Sequence, residues 1–273
     1  MIELLSYDFL RRALIAAVLV GVAAPAVGTF IVQRRLALLG DGIGHIALTG
    51  VGLGLLTRSS PTILALVVSA LGAVAIEMLR VRTRTGGDVA LALLFYGGLA
   101  GGVLFANLSG GSANLGSYLF GSISSVSTGD LYIIAGLAVA VIVILLLFGR
   151  ELFVLCQDEE VARASGLPVR FLSLLIAVTA ALTVVVAMRA VGLLLVSALM
   201  VVPVAAAQQL TRGFKATIGL AVVVGVLASV GGLWVSVDAD FAPGPTIVLL
   251  AMAVFLVAVG TGRLVRMRRT DVS

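Results

Sequence analysis

RRLALLGDGIGHIALTG, residues 34–50, is the stretch from which the rest of this sequence is read. Arg34 and Arg35 close one apolar run. A glycine-rich apolar run then opens with Asp41, and four residues later stands His45, the single histidine of the chain. If both runs cross a membrane, Asp41 and His45 are ionisable groups within lipid. A central Asp there costs roughly 2.5–3.5 kcal/mol on insertion scales, so each is a functional candidate by default. At i and i+4 the two share one helical face, with Cβ atoms about 5–6 Å apart. A carboxylate and an imidazole so placed are half of a divalent-metal site. The plainer alternative also stands on these residues: Asp41 caps the helix after Gly40, and His45 is hydrogen-bonded to a neighbour.

The whole composition supports the membrane setting. Of 273 residues, 61% are hydrophobic and only 11% charged, and the mean hydropathy is +1.23. A soluble domain needs far more polar surface. Repeated apolar runs near the span of a bilayer predict an all-α polytopic membrane protein forming one transmembrane domain over 1–273, with no polar stretch longer than a loop. The first run, from Ala13 to Val32, is expected to be a retained span. Glu3 and Asp8 spoil the basic region of a signal peptide, and the run is longer than a cleaved leader requires. A single cysteine, Cys156, excludes an internal disulfide and any multi-cysteine zinc site.

Nine apolar segments can be drawn, near 10–32, 41–57, 61–80, 88–108, 130–149, 171–188, 190–207, 215–236 and 245–263. The second is short and rich in glycine, which leaves an eight-span version with a re-entrant segment open. The sixth and seventh are separated only around Arg189, where a tight turn is expected. With nine spans, 14 of the 18 basic residues fall on one side, leaving Arg11, Arg12, Arg58 and Arg189 on the other. The positive-inside rule makes the richer side cytoplasmic, with the N-terminus outside and the C-terminus inside. The net charge of +5 is therefore a topology signal and not a nucleic-acid footprint.

Outside the opening pair, few residues carry chemistry. Glu77 lies near the cytoplasmic end of the third span, three residues from Arg80. A local ion pair is the favoured reading, and a place on a metal exit route is the sharper one. Asp238 and Asp240 fall in the outer loop before the last span, as solvated carboxylates or as groups that attract cations at an entrance. The uncharged outer loop 109–129 is read as a flexible connector or as a segment over a central opening. The inner loop 151–170 contains DEEVARASGLP, which predicts a short helix, with acids at its start and Gly166 and Pro168 as its stop. The small residues Ala162, Ala164, Ser165 and Gly166 make a surface on which another protein can seat. Enzyme signatures are missing. There is no GxxxxGK phosphate loop and no HExxH, so this chain does not itself hydrolyse ATP.

Five stretches resemble one family in register. ALLGDGIGHIALTGVGLG, 37–54, is similar to the GDALSHAVLPG-like signature of metal-ion ABC importer permeases of the zinc and manganese type. SYLFGSI, 117–123, resembles the segment before the family's fifth span, and DEEVARASGLPV, 158–169, resembles the region that docks on the ATPase. AVGLLLVSALMVVPVAAAQQL, 190–210, resembles the span ending in an IPAATA-like run, and FAPGPTIVLLA, 241–251, the Gly-Pro start of the last span. The chain departs from the pattern at Ile43 and Gly44, where Leu and Ser are usual, and at Thr49, where Pro is frequent.

The resemblance implies a type II-like ABC importer permease that carries Zn2+ or Mn2+, with Fe2+ also compatible, and holds no permanent cofactor. It implies three partners: a cytoplasmic ATP-binding subunit, an extracytoplasmic metal-binding protein and a second copy of the chain. Asp41 and His45 would then contact metal, and two copies about a two-fold axis would supply two carboxylates and two imidazoles. Asp158, Glu159, Ala162, Arg163, Ala164, Ser165, Gly166 and Leu167 would couple to the ATPase. The alternatives are a permease for metal chelates of the siderophore or cobalamin type, and a non-transporting membrane scaffold.

Overall fold

The computed structural model describes residues 8–82, 87–110, 112–122, 127–188 and 191–270, and among these there is no strand. The helices in chain order are α1 (Asp8–Gln33), α2 (Leu39–Leu56), α3 (Pro61–Arg82), α4 (Gly87–Leu108), α5 (Ser112–Phe120), α6 (Thr128–Gln157), α7 (Glu159–Ala164), α8 (Val169–Met188), α9 (Leu193–Leu210), α10 (Phe214–Ala239) and α11 (Pro243–Thr270). Eight of them, among the described residues, are long and apolar enough to cross a membrane. The shorter apolar stretch Leu195–Leu210 of α9 corresponds to the remaining predicted segment. α2, the segment with the weakest claim from sequence, is one of the eight.

Local chemistry sets the boundaries. Pro61 and Pro243 occupy first-turn positions of α3 and α11, where a missing N–H costs nothing. α6 starts on a capping box in which Ser127 and Asp130 bond each other's backbone N–H groups. α1 ends with Arg35 in the left-handed region (φ 59°), while the Leu36 N–H reaches back to the Ile31 carbonyl at 2.9 Å. That pattern closes the helix and turns the chain into α2 within five residues.

α2 runs through the middle of the bundle, packed by α3, α4, α8 and α9. Its glycines make this possible. A Cβ on Gly50 would lie 2.5 Å from the Ala65 Cα of α3, so the two backbones meet where a side chain would otherwise stand. On the far side of the bundle α1 packs against α10, α6 and α9.

Two sequence expectations change. The outer loop contains α5, which leans on α9 and α11. Its end is seated on Gly192 (φ +92°) and Gly244, whose added Cβ atoms would meet the Leu119 and Phe120 carbonyls at 2.3 and 2.6 Å. A flexible connector is thus corrected to a docked helix over residues 112–120. Asp238, expected in a loop, lies in the last turn of α10, and only Asp240 follows it, in a left-handed cap (φ 54°). α8 ends at Met188 and α9 begins at Leu193, while Arg189, where the tight turn is expected, lies outside the described residues.

Candidate metal site on α2

Asp41 and His45 sit in the first two turns of α2, both half-buried. The Asp41 carboxylate faces a cavity of about 210 Å³ bounded by Leu38, Gly42, Leu91, Ala92, Phe95 and Tyr96. His45 turns toward the same wall of α4, where its ring stands edge-on to Phe95 at a centroid distance of 4.0 Å. Its Nδ1 is buried with no hydrogen-bond partner. Leaving a buried polar atom unpaired costs about 1–3 kcal/mol, so a ring nitrogen held this way calls for a ligand or another function.

Sequence reasoning missed a third group. The Ser197 hydroxyl of α9 donates to the Asp41 carboxylate, although the two residues are 156 positions apart. The only sequence signal was a serine in the otherwise apolar run 193–202. Gly40 lets α9 come close, since a Cβ there would lie 3.2 Å from the Ser197 Cβ. The family's usual serine at position 44 is absent, yet a hydroxyl still reaches the site from a neighbouring helix. At position 44 itself, a Cβ would meet the Leu193 carbonyl at 3.3 Å.

The α2–α4 seam is fixed by contacts beside the histidine. Thr49, which stands where the family often has proline, donates to the Gly98 carbonyl of α4 at 2.7 Å. A Cβ on Gly98 would lie 2.7 Å from the His45 carbonyl carbon, so α4 abuts the backbone of the histidine itself.

The other candidate residues separate into three places. Glu77 lines a neighbouring cavity of about 210 Å³ with Arg34, Arg35, Leu39 and Ser173, and Leu91 borders both this cavity and the one at Asp41. The side chain of Arg80, the partner expected for Glu77, lies outside the described residues. Asp238 borders a small apolar cleft with Leu10, Leu14 and Trp234, at the start of α1 and so at the end of that helix away from Arg34. Asp240 is exposed and ends α10.

The predicted short helix is α7. The Asp158 side chain caps it, accepting from the Glu160 and Val161 N–H groups at 2.7 and 3.1 Å. Gly166 (φ +76°) ends it, with the Leu167 N–H returning to the Ala162 carbonyl at 3.1 Å. Ala162, read as part of a seating surface, is corrected: it is fully buried in the core, because it faces the bundle. The exposed face of α7 carries Glu160, Val161, Arg163 and Ala164, continued by Ser165 and Gly166, with Leu167 half-buried behind it. Glu159 ties this helix to the start of the metal segment. Its carboxylate pairs with Arg34 at 3.1 Å and with Arg163 at 3.3 Å. The Arg34 side chain is only 5% exposed and also donates to Ser173 of α8 at 2.8 Å. One guanidinium therefore joins α7, α8 and the turn that leads into α2.

Among the described residues no group of three or more His, Cys, Asp and Glu side chains comes together. Asp41 and His45 stand one helical turn apart, with the Ser197 hydroxyl on the Asp41 carboxylate.

Comparisons with known proteins agree over most of the chain. The ABC 3 transport family model matches residues 6–262. The manganese transport system membrane protein MntC of Halalkalibacterium halodurans is 36% identical over 257 residues, covering 94% of this chain and 88% of that protein. The high-affinity zinc uptake system membrane protein ZnuB of Haemophilus influenzae is 28% identical, covering 92% of this chain and 97% of that protein. Among solved structures, PsaBC from Streptococcus pneumoniae in complex with Fab superposes with a TM-score of 0.86 at 34% identity, covering 94% of this chain and 93% of that one.

Proposed function

This chain belongs to the ABC 3 transport family, and from that premise we propose that it carries a divalent transition metal ion through the cytoplasmic membrane by way of Asp41 and His45. It is a metal-importer permease of the ABC class and a transporter subunit without catalytic activity of its own. The observation that carries the metal contact is the buried, unpartnered Nδ1 of His45 one helical turn from a carboxylate held by Ser197. Carboxylate and imidazole together suit Mn2+ or Zn2+, and Mn2+ takes further oxygens readily. The manganese protein's identity of 36%, against 28% for the zinc protein, supports Mn2+ as the first ion to test.

In this reading one permease domain works as a two-fold pair, and the second copy completes the coordination shell. A partner ATPase docks on the exposed face of α7, and an extracytoplasmic protein delivers the ion. Arg34 passes movement of α7 to the head of α2. Glu77, across Leu91 from Asp41, stands on the inward route. The N-terminus lies outside and the C-terminus inside, as the arginine count favours.

The test is uptake by the assembled complex in proteoliposomes, with radioactive Mn2+ and Zn2+ measured separately. Asp41→Ala and His45→Ala should each lower uptake by more than about 100-fold while the complex still assembles. Wild-type uptake of both ions by both variants would end the proposal.

A further inference from the structure

A cavity lies away from the candidate metal site, between α1, α6 and the start of α10. It measures about 630 Å³ and is open on the side where Leu146 is 79% exposed. Its walls are apolar, from Val22 and Ile142 at one end to Phe153 and Phe214 at the other. Those two rings pack at 4.6 Å, and Phe30 closes against Phe214 at 5.2 Å. The cavity follows α1 from Val22 to Phe30, about 12 Å along the helix.

Polarity enters only at that second end. Arg150 and Lys215 both line the cavity there, and both are exposed. The structure gives neither a carboxylate partner among the described residues, whereas Arg34 and Arg163 of the same end are paired with Glu159. The end of α1, the end of α6 and the start of α10 meet here, on the side of the molecule that carries α7. Two cations without a carboxylate partner among the described residues, at the mouth of an apolar slot, match a ligand with an anionic head and a hydrocarbon tail.

We propose that this cavity is a seat for one anionic glycerophospholipid. Its phosphate lies between Arg150 and Lys215, and an acyl chain runs along α1 and α6 toward Val22 and Ile142. Basic pockets between membrane helices hold phospholipid heads by charge, and the tail adds apolar contact that a surface cation alone cannot supply. Gly149, which has nothing within 4 Å of an added Cβ, marks the open middle of the slot.

The full chain, purified in detergent with its associated subunits, is exposed to equal amounts of phosphatidylglycerol and phosphatidylcholine, and retained lipid is counted by native mass spectrometry. Phosphatidylglycerol should be favoured by roughly tenfold. Arg150→Gln combined with Lys215→Gln should remove the preference. Gly149→Phe, which leaves both charges and fills the slot, should abolish retention of either lipid. Soluble glycerol phosphate in excess should not displace the bound lipid. Equal retention of the two lipids, displacement by glycerol phosphate, or full retention by a correctly eluting Gly149→Phe protein would each overturn the seat.

Discussion

α2 and α6 are both long and apolar enough to span a membrane, yet they differ sharply in burial. The α2 span has a mean hydropathy of 1.3 and is 67% buried within the chain, whereas α6 reaches 3.1 and is 17% buried. In water the ranking would be reversed. In a bilayer the solvent is itself apolar, so hydrophobicity does not drive a helix inward. What draws α2 in is close packing through its six glycines, and what keeps it there is the cost of turning Asp41 and His45 toward lipid. The helix that carries the candidate metal donors is therefore the one with the lowest mean hydropathy of the eight spans.

Four substitutions press on that contrast. The largest effect belongs to Gly98→Leu. The added Cβ meets the His45 carbonyl carbon at 2.7 Å and the Ile46 nitrogen at 2.6 Å, both backbone atoms that cannot swing aside. Overpacking against backbone should cost about 3 kcal/mol or more, seen as loss of the monodisperse species on size exclusion. A wild-type melting temperature would show that α2 is not held by this seam.

Gly166→Arg comes next, at the exposed helix that continues α6. Its Cβ has open space, so the strain is confined to a left-handed backbone position and amounts to about 1–2 kcal/mol. The protein should fold, while metal uptake per ATP hydrolysed by the reconstituted complex falls roughly tenfold. Unchanged coupling would move the ATPase contact elsewhere.

Ser197→Ala should have a smaller effect than either metal-donor substitution. The Asp41 carboxylate loses the hydroxyl that orients it, and metal affinity should drop by about 10-fold with little change in stability. Equal affinity in both proteins would reduce the serine to a packing contact. The smallest effect belongs to Gly136→Leu on α6, whose added Cβ meets nothing within 4 Å. Stability should stay within about 0.5 kcal/mol of wild type by thermal unfolding in detergent. If Gly136→Leu and Gly98→Leu were equally damaging, burial would not be what separates the two helices.

Much of the candidate site was legible because rarity is informative inside a membrane. One histidine and one aspartate in an apolar run name themselves, and their spacing places them on one face. The α7 helix was legible for a different reason. Its Asp158 cap and Gly166 stop are local features, and local features are written in adjacent residues. α5 was not legible, because its short run of polar and aromatic residues looks like a loop until Gly192 and Gly244 provide its seat. Ala162 was misplaced for a similar reason. On a short helix without a strong apolar stripe, only the neighbouring helices decide which face turns inward.

By itself, the sequence determined the membrane class, the positions of the spans and the two ionisable residues on α2, since each depends on composition and short-range periodicity. Only the tertiary structure decided that Ser197 meets Asp41, that Arg34 joins α7 to the turn before α2, and that Arg150 and Lys215 face one apolar slot. Those pairs lie far apart along the chain. Their meeting depends on how closely glycine and alanine let the helices pack, a geometry that no local pattern of residues encodes.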